Sequence, residues 1–336
     1  MTLADIIGTA GATGIERSGR LRFHCTGDTG KGVNTPQGDV AEAMAQDYDI
    51  AHPDASPAFF FHLGDVIYGP GKDNAYRTEF YEPYVHYPGK ILAIPGNHDG
   101  EVFATTDPTT LEAFLANFCA ATATVPAIAG TIFRQTMTQP GVYWLLDAPF
   151  AHIIGLYSNA AENPGFLSGA IPGPAQAQWL VQTLTRIQQQ RPQGTRKALI
   201  MATHHPPFTA GGHSPSTEML AEIDAACQQA QIMPDLFLSG HAHSYQRYTR
   251  RVPFNGQTLE IPYLVVGIGG INDQAVPAAD GQVTGDHTFV SSRQGYGYVL
   301  IEVTATAITG TMTAVSGTQR TQIEQFSVSL ASNRVS

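Results

Sequence analysis

The chain has 336 residues, 43% of them hydrophobic and only 14% charged, with 18 Lys and Arg against 28 Asp and Glu and a formal net charge of −10. That apolar content supplies a large buried core and excludes a disordered chain, while so few basic residues exclude a nucleic-acid footprint. Twelve histidines stand beside the sparse charge, and imidazoles and carboxylates are the side chains that bind metals and move protons.

The opening stretch MTLADIIGTAGATGIER has neither the basic n-region nor the apolar h-region of an export signal, and no apolar run is long enough to be a membrane segment. The chain as written therefore reads as cytoplasmic, or as extracytoplasmic if a signal has been removed. Cys25, Cys119 and Cys227 are far apart and odd in number, so neither a zinc ribbon nor a disulfide framework is indicated. No repeat, low-complexity tract or charge block marks a linker. A single domain over 1–336 is expected, with the motifs in 20–250 and second-sheet strands in 255–330.

Apolar runs read as buried strands at RLRFHCTG (from 20), AFFFHLG (from 58), ILAIPG (from 91), YWLLD (from 143), AHIIGLYS (from 151), ALIMAT (from 198) and DLFLSG (from 235). Helical patterns lie between them. TPQGDVAEAMAQDYD opens with Thr35 and Pro36 in N-cap and N1 style and aligns Val40, Ala43, Met44 and Tyr48. PAQAQWLVQTLTRIQQQ aligns Trp179, Leu180, Leu184 and Ile187, and STEMLAEIDAACQQAQI aligns Met219, Leu220, Ile223 and Cys227. Strands alternating with helices predict a layered α/β fold of two packed mixed sheets flanked by helices. The Gly-rich GIGG at 267–270 lacks dinucleotide-binding spacing and reads as a strand-end bend. Segment 101–140 carries no motif and is either a rim over the pocket or a surface excursion.

Five of these strands end in metal-binding chemistry. In order they give Gly27-Asp28, Gly64-Asp65 with Tyr68 shortly after, Gly96-Asn97-His98-Asp99, Thr203-His204-His205-Pro206 and Gly240-His241-Ala242-His243. Ligands of α/β sheets bind at the carboxyl ends of strands, so these donors converge if the strands are neighbours. Carboxylate, amide and imidazole without thiolate suit Zn, Fe or Mn. The donors exceed what one tetrahedral ion takes, and two ions sharing a carboxylate are the usual apparatus for displacement at phosphorus.

In these motifs the sequence resembles the calcineurin-like metallophosphoesterases, and within them the purple acid phosphatases. The family order GD, GD, GNH, His before Pro and GHxH is present from Gly27 to about Arg247. Many members carry GDxH first, and this chain has Gly30 at the His place. Purple acid phosphatases substitute a tyrosine three residues after the second Asp, where Tyr68 stands, and GHAHSYQR is close to their GHxHxYxR. The resemblance implies a four-layer α/β/β/α sandwich. It implies one metal on Asp28, Asp65, Tyr68 and His243 and another on Asp65, Asn97, His204 and His241, with Asp65 bridging. The phenolate of Tyr68 favours Fe(III), and the second ion is Fe(II), Zn or Mn.

Nine residues beyond the metal His of that motif the family has a substrate-contacting His. Counting from His204 gives His213 and favours His204 over His205 as the ligand. His98 and His213 are the expected non-ligand catalytic groups, protonating or holding the leaving oxygen, with Asp99 orienting His98. The remaining histidines, His24, His52, His62, His86, His152 and His287, are read as structural, His24 and His62 in the core. The implied activity is hydrolysis of small phosphate monoesters, at acidic to neutral pH, by metal-activated attack. Alternatives are diester or phosphoanhydride hydrolysis at the same site, or a non-catalytic metal- or phosphate-binding module. Oligomeric state is not legible.

Overall fold

In the computed structural model, which describes residues 1–68, 73–101, 110–159, 164–169, 173–191, 194 and 196–336, the opening stretch forms α1 (Leu3–Ser18), two helical pieces joined at a kink where Gly8 takes a non-helical φ of 77°. Its glycines hide the pattern, but Thr2 and Asp5 make a reciprocal capping box and Gly19 closes the helix in the left-handed region. Seven strands appear where the apolar runs lie: β1 (Arg20–Thr26), β2 (Phe59–His62), β3 (Lys90–Ala93), β4 (Trp144–Asp147), β5 (Ala151–Gly155), β6 (Ala198–Ala202) and β7 (Leu236–Ser239). The three expected helices are α2 (Pro36–Ala45), α5 (Ala175–Gln190) and α6 (Thr217–Ala230), and the short α3 (Asp73–Tyr76) and α4 (Glu112–Phe118) precede β4. Residues 102–109, within the proposed rim segment, lie outside the described residues.

The glycine-rich C-terminal part forms β8 (Tyr245–Phe254), β9 (Gln257–Val266), β10 (Val283–Thr284), β11 (His287–Arg293), β12 (Tyr296–Thr304), β13 (Ala307–Ser316), β14 (Gln319–Ser329) and β15 (Arg334–Val335). These strands do not make a second sheet of their own, which corrects the assignment of 255–330. The seven-stranded sheet has the order β15-β14-β13-β12-β1-β2-β3, and the eight-stranded sheet β10-β11-β8-β9-β7-β6-β5-β4. The physical reason is edge pairing. β1 is open on one side and takes β12 antiparallel, whereas β9 lies parallel to β7 and extends the other sheet.

Period-2 alternation sorts the strand side chains between layers. Leu21, Phe23 and Cys25 of β1, Phe59 and Phe61 of β2, and Ala198, Ile200 and Ala202 of β6 meet in one core between the sheets, which α1 also enters with Leu3, Ile6 and Ile15. Leu199 and Met201 face the opposite way and pack under α5 and α6. Phe60 packs outward with α2 and α4. The result is the two-sheet, helix-flanked sandwich that the resemblance implies.

The motif strands are not all neighbours in one sheet. β1, β2 and β3 pair in parallel in one, and β6 and β7 pair in parallel in the other. The two sets of carboxyl ends meet across the top of the sandwich, which is why donors spread from Asp28 to His243 converge.

Candidate metal centre

The loops after β1, β2 and β7 are wound tightly enough to force non-glycine residues into left-handed backbone. Asp28 (φ 59°), Asp65 (φ 53°) and His241 (φ 68°) all adopt it, a conformation that costs an L-residue of order 1 kcal/mol or more and concentrates at functional sites. Backbone bonds stitch these loops together: Asp28 N–H donates to the Gly64 carbonyl (3.0 Å) and Gly240 N–H to the His204 carbonyl (2.9 Å). The motif glycines supply room. A Cβ at Gly64 would fall 2.6 Å from His204 Nδ1, at Gly96 2.1 Å from Asp65 Oδ1, and at Gly240 2.5 Å from Asp28 Oδ2.

Asp65, His204 and His241 bring ligand atoms within 4.8 Å of one another, all three residues buried. His204 Nδ1 donates to the Leu63 carbonyl (2.9 Å), which leaves Nε2 turned inward, 3.2 Å from Asn97 Oδ1, 3.4 Å from Asp65 Oδ2 and 3.2 Å from His241 Nδ1. On the other side His243 Nδ1 donates to the Asn272 carbonyl (2.8 Å), and its Nε2 lies 3.6 Å from Asp28 Oδ1. Tyr68 closes this side. A Cβ at Gly30 would sit 2.3 Å from its ring, so the tyrosine fills the room that a side chain at position 30 would need, and its ring centroid is 6.5 Å from that of His243.

His98 lies at the rim with its ring 4.4 Å from that of Tyr68. Its Nδ1 is 2.9 Å from Glu101 Oε1. The expectation that Asp99 orients His98 is therefore corrected: Asp99 is buried and accepts from the backbone N–H groups of Val66 (3.0 Å), Ile67 (3.3 Å) and Gly96 (2.8 Å). Its carboxylate braces the second and third motif loops against each other. His213 is brought to the site, its ring 3.9 Å from that of His241 and its Nε2 3.4 Å from Gln274 Nε2. His205 is buried behind His241, with Nδ1 3.0 Å from Ser158 Oγ. His24 bonds Tyr87 and Asp47, and His62 bonds Thr29, both in the core.

Glu101, Ser158, Asn272 and Gln274 carry no motif and were not legible beforehand. The last two follow the GIGG bend, whose Gly269 N–H and Ile271 N–H donate to the carbonyls of Gly27 and Asp28. That bend is a strand end, as expected, and it presses directly on the first metal loop.

The electrostatics call for positive charge. Burial raises the Asp28 carboxyl far above the usual carboxylate range. Burial, with Asp65, Asp28 and Asp99 nearby, raises the Tyr68 phenol well above its ordinary value. Burial raises and the neighbouring His204 lowers Asp65, the histidine prevailing, while for His204 the opposing carboxylates outweigh burial and hold it up at about 9. Burial lowers His241 and takes His243 down to about 4. The neutral imidazoles of His241 and His243 are already in the state that binds a cation, and His204 would give up its proton to one. The buried Asp28 Oδ1 and Tyr68 hydroxyl also make no hydrogen bond, unpaired polar atoms that a cation fits and an apolar core does not. No helix among the described residues is long and apolar enough to cross a membrane.

Comparison with known proteins bears on this arrangement. A probable purple acid phosphatase of Arabidopsis thaliana is 25% identical over 142 residues, a match spanning 41% of this chain and 30% of that protein. Among solved structures, GAP50, the anchor in the inner membrane complex of Plasmodium, superposes with a TM-score of 0.59 at 13% identity, covering 91% of this chain and 89% of that one. PhoD does so with a TM-score of 0.56 at 15% identity, covering 94% and 71%. Those likenesses establish the fold. The profile of the calcineurin-like phosphoesterases matches residues 21–245, a stretch that begins in β1 and ends past His243, so it takes in every loop that carries a candidate ligand, and the chain belongs to that family.

Proposed function

We propose that the protein is a phosphoesterase that hydrolyses phosphate monoesters at a dinuclear centre, with Fe(III) at the Tyr68 position and Fe(II), Zn or Mn at the other. The observation that carries this reading is the replacement at one corner of the site: Gly30 leaves no side chain, and the buried, unpaired Tyr68 hydroxyl stands in the space beside Asp28 and His243. Asp28, Asp65, Tyr68 and His243 would hold the first ion and Asp65, Asn97, His204 and His241 the second. Bound there, the pair supplies charge neutralisation of the phosphate and acidification of a water.

The chain's own groups do the rest. The Leu63 and Asn272 carbonyls fix the Nδ1–H tautomers of His204 and His243 and aim both Nε2 atoms inward. His98 lies against Tyr68 and His213 against His241, and each would protonate or hold the leaving oxygen of an ester. Glu101 holds His98 Nδ1, so its Nε2 is the atom that delivers the proton.

The test is metal reconstitution followed by a panel of aryl mono- and diesters from acid to neutral pH, with a visible spectrum. A coloured protein that prefers monoesters is expected. Tyr68→Phe should abolish the colour, and His98→Asn should lower kcat by about 10²–10⁴-fold for poor leaving groups. A metal-loaded protein that cleaves no phosphate ester sinks the enzymatic reading. A diester preference sinks the monoester assignment alone.

A further inference from the structure

His241 is clamped between two other imidazoles. Its ring lies 3.9 Å from that of His213 at 36° and 4.3 Å from that of His205 at 47°. The two flanking rings are held very differently. His213 rides in the half-exposed segment after Pro207, with its Nε2 3.4 Å from Gln274 Nε2. His205 is completely buried. Ser158 Oγ accepts its backbone N–H (3.1 Å) and lies 3.0 Å from its Nδ1. Behind it Gly165 approaches so closely that a Cβ there would fall 2.5 Å from His205 Cβ. Gly165 is fixed in turn by its N–H bond to Ser216 Oγ (3.0 Å).

We infer that His205 is a positioning residue: a fixed flat platform that sets the ring plane of His241, so that His241 Nδ1 is directed at His204 Nε2 and Asp65, and that it raises affinity at the second metal position without being a ligand. The inference rests on the metal-centre reading above. His241 needs such help because its backbone is in the left-handed region, its Nε2 makes no hydrogen bond, and its outward face meets His213 in a half-exposed segment. The metal ligands His204 and His243 each have a carbonyl on Nδ1 to lock the ring. For His241 Nδ1 is the inward-facing nitrogen, so a carbonyl on that atom is excluded and the tilted ring contacts take over the orienting role.

The experiment measures Zn(II) binding to the metal-free protein by competition with a colorimetric chelator, resolving the two positions. For His205→Ala the inference expects a loss of about 10–100-fold at one position, the range seen when ligand-orienting partners are removed, with the other position unchanged. His205→Phe, which keeps a flat ring, should stay within about threefold of the parent, and Ser158→Ala, which loosens the platform, should fall between them. Parent-like binding by His205→Ala overturns the inference. So does a His205→Phe variant as weak as His205→Ala, because a nitrogen rather than a surface would then be required. A folding defect that weakens both positions in His205→Ala leaves Ser158→Ala to decide, and parent-like binding there overturns it too. A parent protein that binds no Zn(II) at all overturns the metal-centre reading itself, an outcome distinct from the others.

Discussion

At the scale of single residues the site is organised around carboxylates in unequal environments. Asp65 faces cationic and polar partners, while Asp99 spends its charge on backbone. Its two oxygens take the N–H groups of Val66, Ile67 and Gly96, all buried. Burial, reinforced by the repulsion of Asp65, raises its carboxyl to about 7 in the metal-free protein. Removing it strands three donors where water cannot replace the acceptor, and an unsatisfied buried donor costs about 1–3 kcal/mol. Asp99→Ala should therefore destabilise the metal-free protein by about 3 kcal/mol or more, and Asp99→Asn, which keeps one acceptor oxygen, by much less. Urea unfolding reads both, and an alanine variant within 1 kcal/mol of the parent, by the same yardstick, contradicts the bracing role.

Among the elements, what could be read in advance was what period and punctuation encode. Phe59, Phe60 and Phe61 between turn residues announce a strand buried on both faces, and Met219, Leu220, Ile223 and Cys227 announce the stripe of α6; each is observed. α1 was illegible because Gly8, Gly11 and Gly14 break its propensity, and its formation depends on the Thr2–Asp5 cap and on burying Leu3, Ile6 and Ile15. The partition of the last strands between two sheets was illegible for another reason: alternation specifies a face, not a neighbour. The same limit applies to the centre. Its donors follow strands in recognisable motifs, whereas Gln274 and Asn272 act from an irregular stretch with no periodicity. Gln274 Oε1 accepts the His243 N–H (3.1 Å) while its amide nitrogen faces His213, so this one side chain links the segment after β9 to both. Gln274→Ala should lower kcat/KM about tenfold through His213, a loss of about 1.4 kcal/mol, and leave metal content intact. Unchanged kcat/KM, or lost metal, would show that the segment does not act through His213.

For the molecule as a whole, buried histidines and buried carboxyls pull stability in opposite directions with pH. The proposed activity at acidic to neutral pH requires the chain to stay folded while its histidines titrate. Two of them are poorly suited to it. Burial depresses His62 from 6.5 to about 3, and burial also lowers His24, with Asp47 opposing. A histidine whose folded pKa is depressed binds its proton only on unfolding, so its contribution to stability is whole above pH 6.5 and is lost as pH falls toward the folded value. Asp28 and Asp99 tilt the metal-free protein the other way, since burial raises both, and their contribution is lost as pH rises. Comparison with His62→Gln, which can keep the bond to Thr29 Oγ1 and cannot be protonated, subtracts these opposing groups. The parent should lose stability relative to the variant by about 1.4 kcal/mol for each pH unit below 6.5, levelling near pH 3. Chemical denaturation of both metal-free proteins at several pH values measures the difference, and parallel curves would mean that His62 is not held neutral by the fold.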